Sequence, residues 1–239
     1  MQSRSARWLL LAALPLALSC WPTHGAVAAD VEAVNVYSYR QPFLIDPLLK
    51  KFTEDTGIKV NVIFAEKGLI ERMAAEGRNS PADLLLTVDV GNLMQAKEAG
   101  VGQVVHSQAL EKEIPAAYRD KEGVWWGLTR RARVVYILFP NTNDRGTHVN
   151  ISGAVLAKNA PHKDNALKLM EFLAADEGQQ MYAEVNNEYP VKEGVPWSPL
   201  VKSWGNFKPD PISLNEIAAL RKHASELIDK VGFDDGPST

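Results

Sequence analysis

An open α/β sheet is the fold class this 239-residue sequence predicts, on three observations. Short segments rich in β-branched residues alternate with segments whose apolar residues recur at helical spacing. Along residues 34–99 the order is strand, helix, strand, helix, strand, helix. The third strand segment is apolar throughout, as expected of a strand covered on both faces of a parallel sheet.

Val34-Asn35-Val36-Tyr37-Ser38-Tyr39 is the first predicted strand. From Pro42 to Thr56, Leu44, Leu48, Leu49 and Phe52 fall on one helical face, and Gly57 ends that helix. Ile58 to Phe64 reads as the second strand by β-branched content and alternation. Gly68 to Gly77, with Leu69, Ile70, Met73 and Ala74, reads as the second helix. Asp83 to Val88 is the apolar third strand, followed by a helix from Gly91 to Ala99. Sheets of this kind take ligands beyond the carboxyl ends of their strands, which brings together Tyr37 to Gln41, Ala65 to Lys67 and Thr87 to Asn92. Gln41 and Asp89 are therefore candidates to line a cleft. A carboxylate just before Gly91 equally suits a helix cap. Trp125-Trp126 suits an aromatic pocket wall or, more simply, packing beneath a strand. Helical segments are expected again near 200–203 and 214–231.

The chain opens with Arg4 and Arg7, then an uncharged stretch from Trp8 to Ser19, then Ala26-Val27-Ala28 as a small-x-small cleavage signal. Residues 1–29 read as a secretory signal peptide, so the protein is expected in the periplasm. Cys20, the single cysteine, follows Ala17-Leu18-Ser19, a weaker match to a lipoprotein signal, and simple cleavage after Ala28 or Ala29 is the expected processing. The 26 basic and 29 acidic residues are interspersed, which argues against a nucleic-acid-binding stripe. The histidines at 24, 106, 148, 162 and 223 lack the short spacing of a zinc site. No nucleophile elbow, P-loop or dinucleotide glycine pattern is present, and an enzyme is not expected.

Many short motifs, in order, carry a family resemblance. They include Phe52-Thr53-Glu54-Asp55-Thr56-Gly57-Ile58-Lys59-Val60, Ser80-Pro81-Ala82-Asp83, Arg131-Ala132-Arg133, Thr147-His148-Val149-Asn150-Ile151-Ser152-Gly153 and Glu188-Tyr189-Pro190-Val191. The chain resembles the periplasmic ferric-iron-binding proteins of ABC importers. That resemblance implies a two-lobed type II periplasmic binding fold that closes over its cargo by hinge motion. Here, however, Arg131-Ala132-Arg133-Val134-Val135-Tyr136 runs almost directly into Phe139-Pro140-Asn141 and on to Thr147-His148-Val149-Asn150. The long middle segment that separates these motifs in the family, and forms most of the second lobe, is missing. The expected organisation is a leader at 1–29, one nearly complete lobe over 30–199 with a hinge hairpin near 131–153, and C-terminal helices over 200–239. The turn formers from Pro140 to Gly146 suit such a short circuit.

The resemblance also implies a site. Ferric ion is a hard acid that prefers anionic oxygen and strips the proton from a coordinated phenol. The family supplies tyrosines, including an adjacent pair in the second lobe, with a small synergistic anion such as carbonate. The six tyrosines here, at 37, 39, 118, 136, 182 and 189, include no adjacent pair. Tyr136 matches a family ligand, and Arg131 and Arg133 resemble cleft arginines that hold the anion by paired hydrogen bonds. Expected partners are a permease and an ATPase of an ABC importer. Iron affinity is expected to be much reduced.

Overall fold

The computed structural model describes residues 32–132, 139 and 141–232. The predicted leader with Cys20 lies outside the described residues, as do Arg133, Tyr136 and the side chain of Arg131.

The chain forms a six-stranded mixed sheet with helices on both faces, the α/β class that the sequence predicts. In chain order the strands are β1 (Ala33–Ser38), β2 (Lys59–Phe64), β3 (Leu84–Thr87), β4 (Trp126–Ala132), β5 (Val149–Leu156) and β6 (Tyr189–Pro190). The helices are α1 (Pro42–Thr56), α2 (Leu69–Glu76), α3 (Val90–Glu98), α4 (Gln108–Glu113), α5 (Lys163–Ala174), α6 (Asp176–Asn186), α7 (Pro199–Ser203) and α8 (Leu214–Val231). Spatial order is β2-β1-β3-β5-β4-β6. The β1 strand pairs parallel with β2 and β3, whereas β5 runs antiparallel to both β3 and β4. The carboxyl ends of β1, β2, β3 and β4 therefore share one edge with the start of β5. The link from β4 to β5 leaves and returns at that edge.

Local chemistry explains the boundaries. Proline in the first turn opens α1, and Gly57, at φ 74°, closes it by donating its backbone N–H to the Thr53 carbonyl. Ile45, Leu48, Leu49 and Phe52, at helical spacing, are the buried face. All four residues of β3 are buried. Leu84 and Leu86 join a core with Val34, Phe52, Leu169 and Tyr182 beneath α1, α5 and α6, while Leu85 joins Leu69, Leu93 and Val155 beneath α2 and α3. Trp126 and Trp125 obey the same alternation, one in each core, so both are packing residues. Packing over β5 is tight enough that a Cβ at Gly153 would lie 2.5 Å from the Trp126 carbonyl and 2.8 Å from a Leu93 methyl.

Beyond β4 the chain makes a turn in which Gly146 and Asp144 both donate backbone N–H groups to the Asn141 carbonyl. Beside it Phe139, Tyr189 and Val201 form a third, small core with Trp197, Trp204 and Phe207. Phe139 stacks on Phe207 at 4.9 Å between ring centroids, and Tyr189 meets Trp197 and Phe207 edge-on at 4.9 and 5.0 Å. No helix of the described residues is long and apolar enough to cross a membrane.

Candidate functional site

The carboxyl edge of the sheet collects the sequence-predicted positions. Gln41 follows β1 and is exposed at the N-cap of α1, where its side chain makes no capping bond. Asp89 follows β3 in extended conformation, and its Oδ1 accepts the Asn92 backbone N–H at 2.7 Å, so it caps α3. In the β4–β5 ladder Arg131 lies opposite Asn150. The Asn150 Oδ1 accepts the Val90 N–H at 3.2 Å, which pins the start of β5 to the start of α3.

Over this junction lies an open groove of about 470 Å³, lined by Asp89, Val90, His148, Asn150 and, from α8, Ile217 and Arg221. Gly91 makes it possible: a Cβ there would sit 2.2 Å from the Arg221 Nη1, so the guanidinium rests directly on the helix start. The groove thus presents one carboxylate, one imidazole, one amide and a guanidinium. Gln41 is not among its lining residues. No group of three or more His, Cys, Asp or Glu side chains able to hold a metal occurs among the described residues.

Five of the six tyrosines are described, and none lines this groove. Tyr37 donates to both oxygens of Glu76, at 2.9 and 3.0 Å, and burial together with that carboxylate pushes its phenol up to about 12. The Tyr39 hydroxyl accepts the Ile70 N–H at 3.0 Å. The Tyr118 hydroxyl accepts from Arg130 at 3.3 Å. Tyr182 is fully buried under the Arg40 guanidinium, 5.2 Å from its ring, and burial raises its pKa. Tyr189 belongs to the aromatic core, and burial raises its pKa as well. Tyr136 falls in sequence between β4 and β5, outside the described residues.

Two features of this edge have no local sequence signal. Arg221 reaches Gly91 from a helix far along the chain. Arg40, in the turn after β1, donates to Glu188 at 2.7 Å with both side chains nearly sealed from solvent.

An open mixed sheet with a groove at its carboxyl edge, where the chain leaves β4 and returns into β5, is the architecture of one lobe of a solute-binding protein. Comparison with known proteins agrees. Residues 102–209 match the family described as bacterial extracellular solute-binding protein. The chain is 28% identical to iron uptake protein A1 of Synechocystis over 90% of this chain and 92% of that protein. That alignment is 332 positions long although the whole chain has 239 residues, so a long stretch of the relative has no counterpart here. Among solved structures, the apo ferric ion-binding protein A of Pasteurella haemolytica is 34% identical with a TM-score of 0.80, covering 87% of this chain and 100% of that one. The Trichodesmium protein solved with iron and citrate is 30% identical with a TM-score of 0.77, covering 84% and 99%. The chain belongs to the periplasmic ferric-iron-binding, type II solute-binding proteins, with most of the second lobe absent.

Proposed function

We propose that this protein is the solute-binding component of an iron(III) ABC importer: it captures ferric ion in the periplasm, after removal of residues 1–29, and hands it to a permease driven by an ATPase. The observation that carries this reading is the open groove at the carboxyl edge, lined by Asp89 and by the start of β5, whose Asn150 lies opposite Arg131 in the β4–β5 ladder. Tyr136 is the phenolate ligand. Arg131 and Arg133 hold a synergistic anion such as carbonate by charge-assisted hydrogen bonds. Asp89 lines the groove, and its Oδ2 faces a ligand while Oδ1 keeps the cap on α3; Gln41, exposed on the same edge, lies outside the groove's lining and lines the wider cleft.

With one wall of the cleft absent, water competes for the remaining coordination positions and affinity falls well below that of a closed site. A second reading, a scaffold that no longer holds iron, is favoured by the engagement of the other tyrosines in packing and hydrogen bonds away from the groove. Titration with ferric citrate separates the two. A saturable phenolate-to-iron charge-transfer band that disappears in Tyr136→Phe supports capture, and a folded protein that stays colourless leaves only the scaffold.

A further inference from the structure

The last helix is built for more than its own lobe. The α8 helix has a full capping box, in which Ser213 accepts from the Glu216 N–H and the Glu216 carboxylate from Ser213, and it ends on Gly232 in left-handed conformation. Its apolar residues Ile217, Leu220, Ala224, Leu227 and Val231 repeat in alternating steps of three and four. That 3.5-residue spacing matches the seam of a helix pair, and Ile228 widens its exposed end. Only the first turns of α8 pack inward, through Leu214 and Ile217, against the core shared with α3. Further along, Leu220 is 54% exposed, Leu227 53%, Ile228 44% and Val231 62%. This stripe is continuous with the groove at the carboxyl edge, whose floor includes Val90, Val149 and Ile212.

We propose that α8 pairs with α8 of a second copy of this chain in an antiparallel, two-fold arrangement, each copy laying the end of its helix into the other's groove. Four observations choose this occupant. The seam is complementary to itself, with Leu227 of one copy against Ile217 of the other and Leu220 against the small Ala224, which lets the axes approach closely. In the same alignment Glu216 meets Lys230 of the second copy at both ends, as flanking charges do in helix pairs. Because the start of each helix is held against its own α3, a parallel pair would press the two bodies together at one end. The antiparallel pair sets them about 24 Å apart along the helices. A two-fold contact also closes on itself, so it stops at a dimer. The dimer covers the open groove with the second copy's helix. It does not depend on iron.

The test is sedimentation velocity of the exported protein, expressed with its own leader and kept in chelator, from micromolar to near-millimolar concentration. A concentration-dependent monomer–dimer equilibrium is expected. Leu227→Glu with Val231→Glu should raise the dimer dissociation constant at least about a hundredfold. Both side chains are more than half exposed, so the circular dichroism spectrum should not change. Lys230→Glu, which sets like charges together, should weaken the dimer several-fold, more so at low salt. A monomer at every concentration, a dimer unmoved by the double change, an open-ended assembly, or indifference to Lys230→Glu would each overturn the pairing as drawn. None of these outcomes bears on whether iron binds, which the ferric citrate titration reads separately.

Discussion

Replacing Glu188 by alanine removes the counterion of a nearly sealed arginine. Arg40 retains 2% and Glu188 7% of side-chain exposure, and Arg40 Nη2 stands 2.7 Å from Glu188 Oε2. The Nε of Arg40 has no partner among the described residues, so its remaining compensation is weak: its guanidinium lies over the Tyr182 ring at 5.2 Å. Breaking a buried pair from one side leaves an uncompensated charge and typically costs about 3–5 kcal/mol, whereas removing both partners in favour of apolar groups is often close to neutral. Glu188→Ala should therefore lose about 3–5 kcal/mol, and Arg40→Met with Glu188→Leu should recover most of it. Urea unfolding followed by circular dichroism, with the slope checked for constancy, measures both. A loss below about 1 kcal/mol for Glu188→Ala would refute the reasoning, because it would mean that water reaches the pair and screens it. The pair ties the turn after β1 to the segment entering β6, so the same variant should loosen the carboxyl edge near Gln41.

The Gln179 side chain, fully buried, donates to the Leu128 and Leu173 carbonyls at 2.9 and 2.8 Å and accepts the N–H groups of Val191 and Lys192 at 3.0 and 3.3 Å. Gln179→Leu leaves those backbone groups unpaired and should cost about 2–4 kcal/mol in the same urea assay. Tyr37, raised from its ordinary 10.0 to about 12 by burial and by Glu76, binds its proton more tightly folded than unfolded. Its contribution to stability is therefore complete below pH 10.0 and is lost as pH rises toward about 12. Phenolate absorbance gained near the ordinary pH of 10.0 should match in wild type and Tyr37→Phe, while one further tyrosine titrating at about 12 should appear in wild type alone, and the wild-type unfolding midpoint should fall across that interval.

Much of the scaffold is legible in the sequence because local rules write it. The βαβαβα order, the span of α1 from Pro42 to Gly57 and the apolar β3 follow from periodicity and terminal residues, and each occurs as read. Asp89 illustrates the limit of such reading: the same carboxylate before Gly91 suited a cleft wall and a helix cap, and the structure shows the cap while also placing the residue on the groove. The family, and the join between Arg131-Ala132-Arg133 and Thr147-His148-Val149-Asn150, are likewise matters of sequence order.

What only the tertiary structure decided is which distant groups meet. Arg40 and Glu188 are 148 positions apart, and nothing near either residue announces the other. Val90 finds Asn150 across 60 positions, and Gly91 receives Arg221 only because α8 crosses the start of α3. The same holds for α8 itself. Its apolar period is written in the chain, but whether that face is covered depends on what the rest of the fold places against it, and here much of it remains open to solvent. Periodicity and caps are set by neighbours within a few residues, so the sequence by itself determines them. Burial, ion pairing and free surface are set by the packing of the whole lobe, and only the assembled structure determines those.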